Sequence, residues 1–119
     1  MVGRPAKGSL EEHFRGRDPG VRATYDRIVE AARRFGPVGE EVRKTSIHLT
    51  NRTAFAGVAT RRSGLILTLK LPGDLKSSRV SRHERVSANR WHLEIKLSAP
   101  NDMDAELRGW LREAYALAG

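Results

Sequence analysis

The chain has 119 residues, of which 39% are hydrophobic and 30% charged, which suits one packed domain and is too short for a catalytic barrel or doubly wound enzyme. Cysteine is absent, which removes disulfides, thiol catalysis and thiolate metal sites, and no apolar run approaches the roughly 20 residues of a membrane span. Twenty-two Lys and Arg against 14 Asp and Glu leave a net charge of +8, a balance that favours an anionic partner or simply solubility.

Residues 1–8 combine Gly, Pro and basic side chains without periodicity and read as a flexible basic arm, leaving 9–119 as a single domain. The N-terminus lacks the apolar stretch of a signal peptide, so a cytoplasmic location is expected. Ser9-Leu10-Glu11-Glu12 has the form of a capping box, and Gly16 stops the short helical turn it opens. Asp18 before Pro19 predicts a second helix, with an N-cap acceptor and a proline where its missing N–H costs nothing. Val21, Tyr25, Ile28, Val29, Ala32 and Phe35 fall on one face of a 3.6-residue period, and Gly36-Pro37 ends the run.

From Glu41 the period becomes two, the spacing that sends successive side chains to opposite faces of a sheet. Strands are predicted over 42–49, 53–60 and 65–71, with turns at Asn51-Arg52, at 61–64 and at Pro72-Gly73-Asp74. Residues 75–82 show no period. A short strand over 83–87 and a turn at Ala88-Asn89 lead to Trp91, Leu93, Ile95 and Leu97, which alternate cleanly with His92, Glu94, Lys96 and Ser98. Pro100-Asn101-Asp102 should cap a last helix striped by Met103, Leu107, Trp110, Leu111, Ala114 and Leu117.

Helix, antiparallel meander and helix together predict an α+β fold. Two layers are expected: a mostly antiparallel sheet of about five strands, covered on one face by the N-terminal and C-terminal helices. Leu65, Leu67, Leu69, Leu71, Trp91, Leu93, Ile95 and Leu97, with Ile47, Leu49 and Phe55, should then meet Val21, Tyr25, Ile28, Leu107, Trp110 and Leu111. Each such burial stabilises by about 1.5–3 kcal/mol.

Alternation assigns Lys44, Ser46 and His48 to the opposite sheet face, together with Thr68, Lys70, His92, Glu94 and Lys96. Such donors and cations suit a carboxylate or phosphate; the alternative is an ordinary solvated face. Val58 and Ile66 are expected on the same face, which raises a homodimer contact as a further alternative. His48 and His92 could form an acid/base or small-molecule site if their strands pair. No histidine has zinc-site spacing, and no metalloprotease, nucleophile-elbow, P-loop or dinucleotide motif occurs. No metal or cofactor is therefore expected, and the balance leans away from an enzyme.

Charge is segregated along the chain. Residues 42–96 hold 12 Lys and Arg against only Asp74, Glu84 and Glu94, whereas the flanking segments are nearly neutral. Within them Arg79, Arg82 and Arg85 recur every three residues, preceded by Lys76 and followed by Arg90, with small hydroxyls between. Guanidinium forks beside hydroxyls match phosphate oxygens, so these are the candidate phosphate contacts. Stacking aromatics are scarce there, which speaks against base readout. The excess of 17 Arg over 5 Lys is also what a GC-rich genome would produce.

Lys44-Thr45-Ser46-Ile47-His48, residues 52–58, residues 65–69 and Val86-Ser87-Ala88-Asn89-Arg90-Trp91-His92 resemble successive blocks of a bacterial, actinobacterial-type domain-of-unknown-function family. Residues 10–14 and 110–115 resemble its ends. The resemblance implies a small α+β domain, found alone or joined to other domains, including predicted nuclease-like ones, with no established activity. It also marks Lys44, His48, Asn89, Arg90 and His92 as matches to the family's polar positions. The function expected is a non-enzymatic binding domain for an anionic ligand, nucleic-acid backbone first, with a homodimerising module second and a site at His48 and His92 third.

Overall fold

The computed structural model describes residues 9–119, so the arm expected over 1–8 lies outside the described residues. Helices α1 (Leu10–Phe14) and α2 (Pro19–Arg33) precede six strands, β1 (Gly39–Val42), β2 (Ile47–Asn51), β3 (Thr53–Thr60), β4 (Leu65–Leu71), β5 (Val80–Ser87) and β6 (Arg90–Leu97). A 3-10 turn (Pro100–Asp102) leads into helix α3 (Ala105–Leu117). The strands form one antiparallel sheet in the order β1-β2-β3-β4-β6-β5. The fold is α+β, with α2 and α3 packed on one sheet face.

The sheet has six strands because residues 42–49 are not one strand. The chain reverses after Val42, and the Arg43 N–H donates to the Ser46 carbonyl at 2.8 Å. A continuous strand with Ile47 and Leu49 inward would also have turned Glu41, Arg43 and Thr45 into the core; reversal keeps all three exposed. Lys44 and Ser46 consequently sit in the β1–β2 turn, not on the polar sheet face.

A bulge governs β3. Leu49 faces Ala56 and Thr50 faces Ala54, leaving Phe55 as the extra residue, so Phe55 and Ala56 are both buried. Phe55 meets the Tyr115 ring edge-on at 5.3 Å. Beyond the bulge Val58 faces Ile47 and Leu67 and is 1% exposed, which corrects its expected place on the polar face. Of the apolar pair expected there, only Ile66 lies on the polar face.

Strand β5 starts at Val80, three residues before the predicted position, because Val80 is buried opposite Ile95. Its register slips between Val80 and Arg82 and again between Arg85 and Ser87. Two slips within eight residues erase the alternation by which a strand is recognised.

Helix ends also differ from expectation. Ser9 and Asp18 occupy N-cap positions without side-chain capping bonds; their carbonyls accept from Glu12 N–H and Val21 N–H at 3.1 and 2.9 Å. The cap of α3 is Asp104, whose carboxylate accepts the Leu107 N–H at 3.0 Å. Asp102 instead accepts from the Ser98 and Ala99 N–H groups at 2.7 and 3.1 Å, which secures the 3-10 turn. Gly36 adopts φ +151°, and a side chain there would collide with the Tyr115 hydroxyl, which donates to the Pro37 carbonyl at 2.8 Å.

Candidate anion-binding surfaces

The polar sheet face is the first surface to weigh. Glu41, His48, Gly57, Thr68, Glu94 and Arg82 stand in one row across all six strands. Lys70, His92 and Glu84 form a second row over β4, β6 and β5, and Lys96 lies beside Ile66. Cations and carboxylates therefore alternate: Arg82 and Glu94 approach to 3.9 Å, and His92 and Glu84 to 4.0 Å. This face carries nearly balanced charge and has little pull on a polyanion.

His48 and His92 do not converge. Strands β3 and β4 separate β2 from β6, and three inter-strand spacings amount to roughly 14 Å. Partial burial, with Arg43 and Lys70 nearby, holds His48 below the ordinary histidine range against the opposing pull of Glu41. Partial burial likewise lowers His92, with Lys70 and Arg90 adding to it and Glu84 opposing. Lys70 thus stands near both rings and helps to keep them neutral, but it does not join them into an acid/base pair. Asn89 lies in the exposed β5–β6 turn. Arg90 and Lys70 border a cleft of only about 30 Å³ beside the end of α3, room for little more than a water molecule.

The period-three arginines point in different directions because the strand they enter has a period of two. Arg79 lies before β5, and its guanidinium is taken up within the molecule. It donates to Asp104 Oδ1 and Oδ2 at 2.8 and 3.0 Å, to Glu106 Oε1 at 3.2 Å and to the Asp102 carbonyl at 2.8 Å, over the Trp110 ring at 5.8 Å. The hydrogen bonds to Asp104 keep its proton even more firmly than usual. Arg82 shares the polar face with Glu94, whereas Arg85 faces Trp91 on the helix side and donates to the Ser87 and Ala88 carbonyls. Lys76 is exposed in the loop before β5. That loop is held to the sheet by His83, whose Nδ1 lies 2.5 Å from Asp74 Oδ1. Lys76, Arg79, Arg82 and Arg85 therefore do not make one phosphate-binding row.

Lys44 joins a different group. With Arg17, Arg61, Glu12, His13, Thr45 and Thr60 it lines a hollow of about 480 Å³ where α1 meets the β1–β2 and β3–β4 turns. Buried His13 fixes this corner, its Nε2 lying 2.6 Å from the Arg43 carbonyl, while the Thr60 hydroxyl donates to the His13 carbonyl at 2.6 Å. Arg17 Nε donates to that same hydroxyl at 3.3 Å. Three cations against Glu12 give this end of the sheet a positive field.

Sequence reasoning misses a second cationic groove. Arg27 of α2 and Arg34 at its C-cap, with Arg108 and Arg112 beside them on α3, line a trough of about 760 Å³ with Glu30, Ala31, Ala105 and Gly109. The available signal is two arginines at i, i+7, on one helix and at its C-cap, and two at i, i+4 on the other helix, each beside small residues. It is hidden because the flanking segments are almost neutral in sum.

These features define a small α+β domain with a helix-covered sheet and cationic ground at its turns and between its helices. A family model described as a domain of unknown function, DUF5655, matches residues 10–118, and the chain belongs to that family. No curated protein and no solved structure matches the chain. Among the described residues no helix is long and apolar enough to cross a membrane.

Proposed function

We propose that this chain is a non-enzymatic domain that binds an anionic ligand, with nucleic-acid backbone as the ligand class. The observation that supports this reading is unneutralised charge. Of the 12 Lys and Arg in residues 42–96, only Arg43, Arg79 and Arg82 have a carboxylate within ion-pair distance among the described residues. The near-neutral polar face is not the contact surface in this reading. Contact falls instead on the exposed turns, where Lys44, Arg61 and Arg62 project with Arg17 at one end of the sheet. Cations without a carboxylate partner can replace the counterions condensed on phosphates, and affinity then depends steeply on salt and little on sequence.

The test is binding to a mixed-sequence DNA duplex by fluorescence anisotropy over a salt series. Replacing Lys44, Arg61 and Arg62 with Ser should weaken binding and reduce the slope of log K against log salt by about one for each phosphate no longer neutralised. Replacing Arg22 and Arg33, which are paired with Asp26 and Glu40, should do much less. Binding by the unaltered protein no tighter than about 10⁻⁴ M, the weak end of nonspecific association, would remove the nucleic-acid reading.

A further inference from the structure

The groove between α2 and α3 lies outside the segment in which the sequence concentrates its charge, and it is lined by four guanidinium groups against three cations at the hollow beside α1. We propose that it binds a compact ligand carrying linked phosphate groups, recognised through the phosphates themselves. This does not rest on the nucleic-acid reading, which involves a different set of cations, Lys44, Arg61 and Arg62 with Arg17.

Four guanidinium groups share the groove with one carboxylate, Glu30. None of the four has a carboxylate partner among the described residues. Arg108 and Arg112 stand one turn apart on α3, a like-charge spacing that weakens a helix. Gathering like charges costs the fold repulsion that no carboxylate partner offsets, and an anion in the groove would relieve it. Two of the heads are already oriented, Arg108 by donating to the Met103 carbonyl at 3.0 Å and Arg112 by lying over the Phe35 ring at 5.5 Å. Their remaining N–H groups are left for an outside acceptor, and ordering them beforehand lowers the entropic cost of binding.

Shape and spacing narrow the ligand. Ala31, Ala105 and Gly109 add little bulk to the lining, and no atom lies within 4 Å of the place a side chain would take at Gly109. A trough of about 760 Å³ has the size of a small-molecule site. Arg27 and Arg34 are about 10 Å apart along α2 and its C-cap, and Arg108 and Arg112 about 6 Å along α3, at 1.5 Å rise per residue. A run of linked phosphates can engage donors rooted over that length together, with less bending of the side chains than a single phosphate would require. Forked N–H pairs suit phosphate oxygens. The Phe35 face is occupied by Arg112, so the groove presents no open aromatic surface for a base. Inorganic polyphosphate and the phosphate tail of a nucleotide share the recognised chemistry.

Calorimetric titration of the full chain with inorganic tripolyphosphate and with a nucleoside triphosphate distinguishes these sources. Both should bind, the nucleotide no more tightly than the inorganic ion, and both more tightly than sulfate. Arg27→Gln with Arg34→Gln should weaken tripolyphosphate binding about tenfold or more, as loss of charge-assisted hydrogen bonds requires. Arg27→Lys with Arg34→Lys, which keeps charge but loses the fork, should fall between. Lys76→Gln with Arg85→Gln removes the same charge elsewhere and should change binding less than about twofold. Unchanged thermal melting of each variant confirms that the fold is intact. Equal weakening in the Lys76 and Arg85 variant would overturn the proposal in favour of a diffuse field. It is also overturned if tripolyphosphate binds no better than sulfate, or if only the nucleotide binds.

Discussion

Two neighbouring rows cross the sheet one residue apart. Val42, Ile47, Val58, Leu67, Ile95 and Val80 form one; Glu41, His48, Gly57, Thr68, Glu94 and Arg82 form the other. The first faces the helices and is apolar in every strand. The second faces away from them and mixes acid, base and a missing side chain, with cation and carboxylate side by side. Stability resides in the first row. In the second row Arg82 and Glu94 offset each other, and beyond Lys70 and Lys96 on the same face the groups of unpaired cations lie at the turns and between the helices. A cation count along the chain is therefore a poor map of the field around the folded molecule.

The largest effect expected is on the apolar row. Leu67→Ala or Ile95→Ala should destabilise by about 2–5 kcal/mol, through reduced burial and the cavity left behind, because both residues are essentially inaccessible to solvent. Lys96→Ala, one position from Ile95 and exposed, should stay within about 0.5 kcal/mol. Denaturant midpoints for the three proteins check this, and equal midpoints would erase the distinction between the rows.

A smaller effect separates two arginines that look equivalent in sequence. Arg79→Gln should cost about 1 kcal/mol, an amount kept low because Asp104 and Glu106 are more than half exposed and solvent screens the pairs. Arg85→Gln removes only hydrogen bonds to nearby carbonyls and should be close to neutral. Thermal melts of the two variants sharpen the comparison between a cation that ties the segment before β5 to the start of α3 and one bonded only to carbonyls of its own hairpin. A larger drop at Arg85 would contradict the role given to the Asp104 cluster.

The α+β architecture and most strand positions are legible in the sequence, because alternation at Leu65–Leu71 and Trp91–Leu97 and the stripes of α2 and α3 are strong local patterns. The errors fall where local pattern and three-dimensional pairing part. A run of residues compatible with one strand reverses at 43–46 because Glu41, Arg43 and Thr45 have no place in a core. One bulge at Phe55 sets the parity of Val58, and two register slips hide most of β5. Candidate sites are less legible. Whether His48 and His92 meet depends on which strands adjoin, and the sequence does not encode that order locally. The arginine groove arises from two helices separated by the whole sheet in sequence, so no window along the chain contains it.

The smallest effect concerns pH and belongs to the polar face. His48 and His92 are both held below the ordinary histidine range, burial being the leading cause in each. In the unfolded chain they take up protons near pH 6.5, whereas in the fold they do so only at lower pH. Between those limits the unfolded state binds more protons, so stability is lost as pH falls through 6.5 and is unaffected above it, where both states are neutral. The groups facing His48 are Arg43, Lys70 and Glu41, and those facing His92 are Lys70, Glu84 and Arg90. Replacing both rings by Gln should remove this part of the acid sensitivity. His13, with its ring bonded to the Arg43 carbonyl, and His83, beside Asp74, are left in place. Asp74 is held below the usual carboxylate range by His83, so its share of stability disappears at lower pH, in the carboxylate range. Urea midpoints at about pH 7.5 and pH 5 for the two proteins isolate the histidine window. The same decline in both proteins would mean that the polar face holds its histidines no differently from solvent. A smaller decline in the Gln variant would show that even the sheet face turned away from the core senses the partial burial of its histidines.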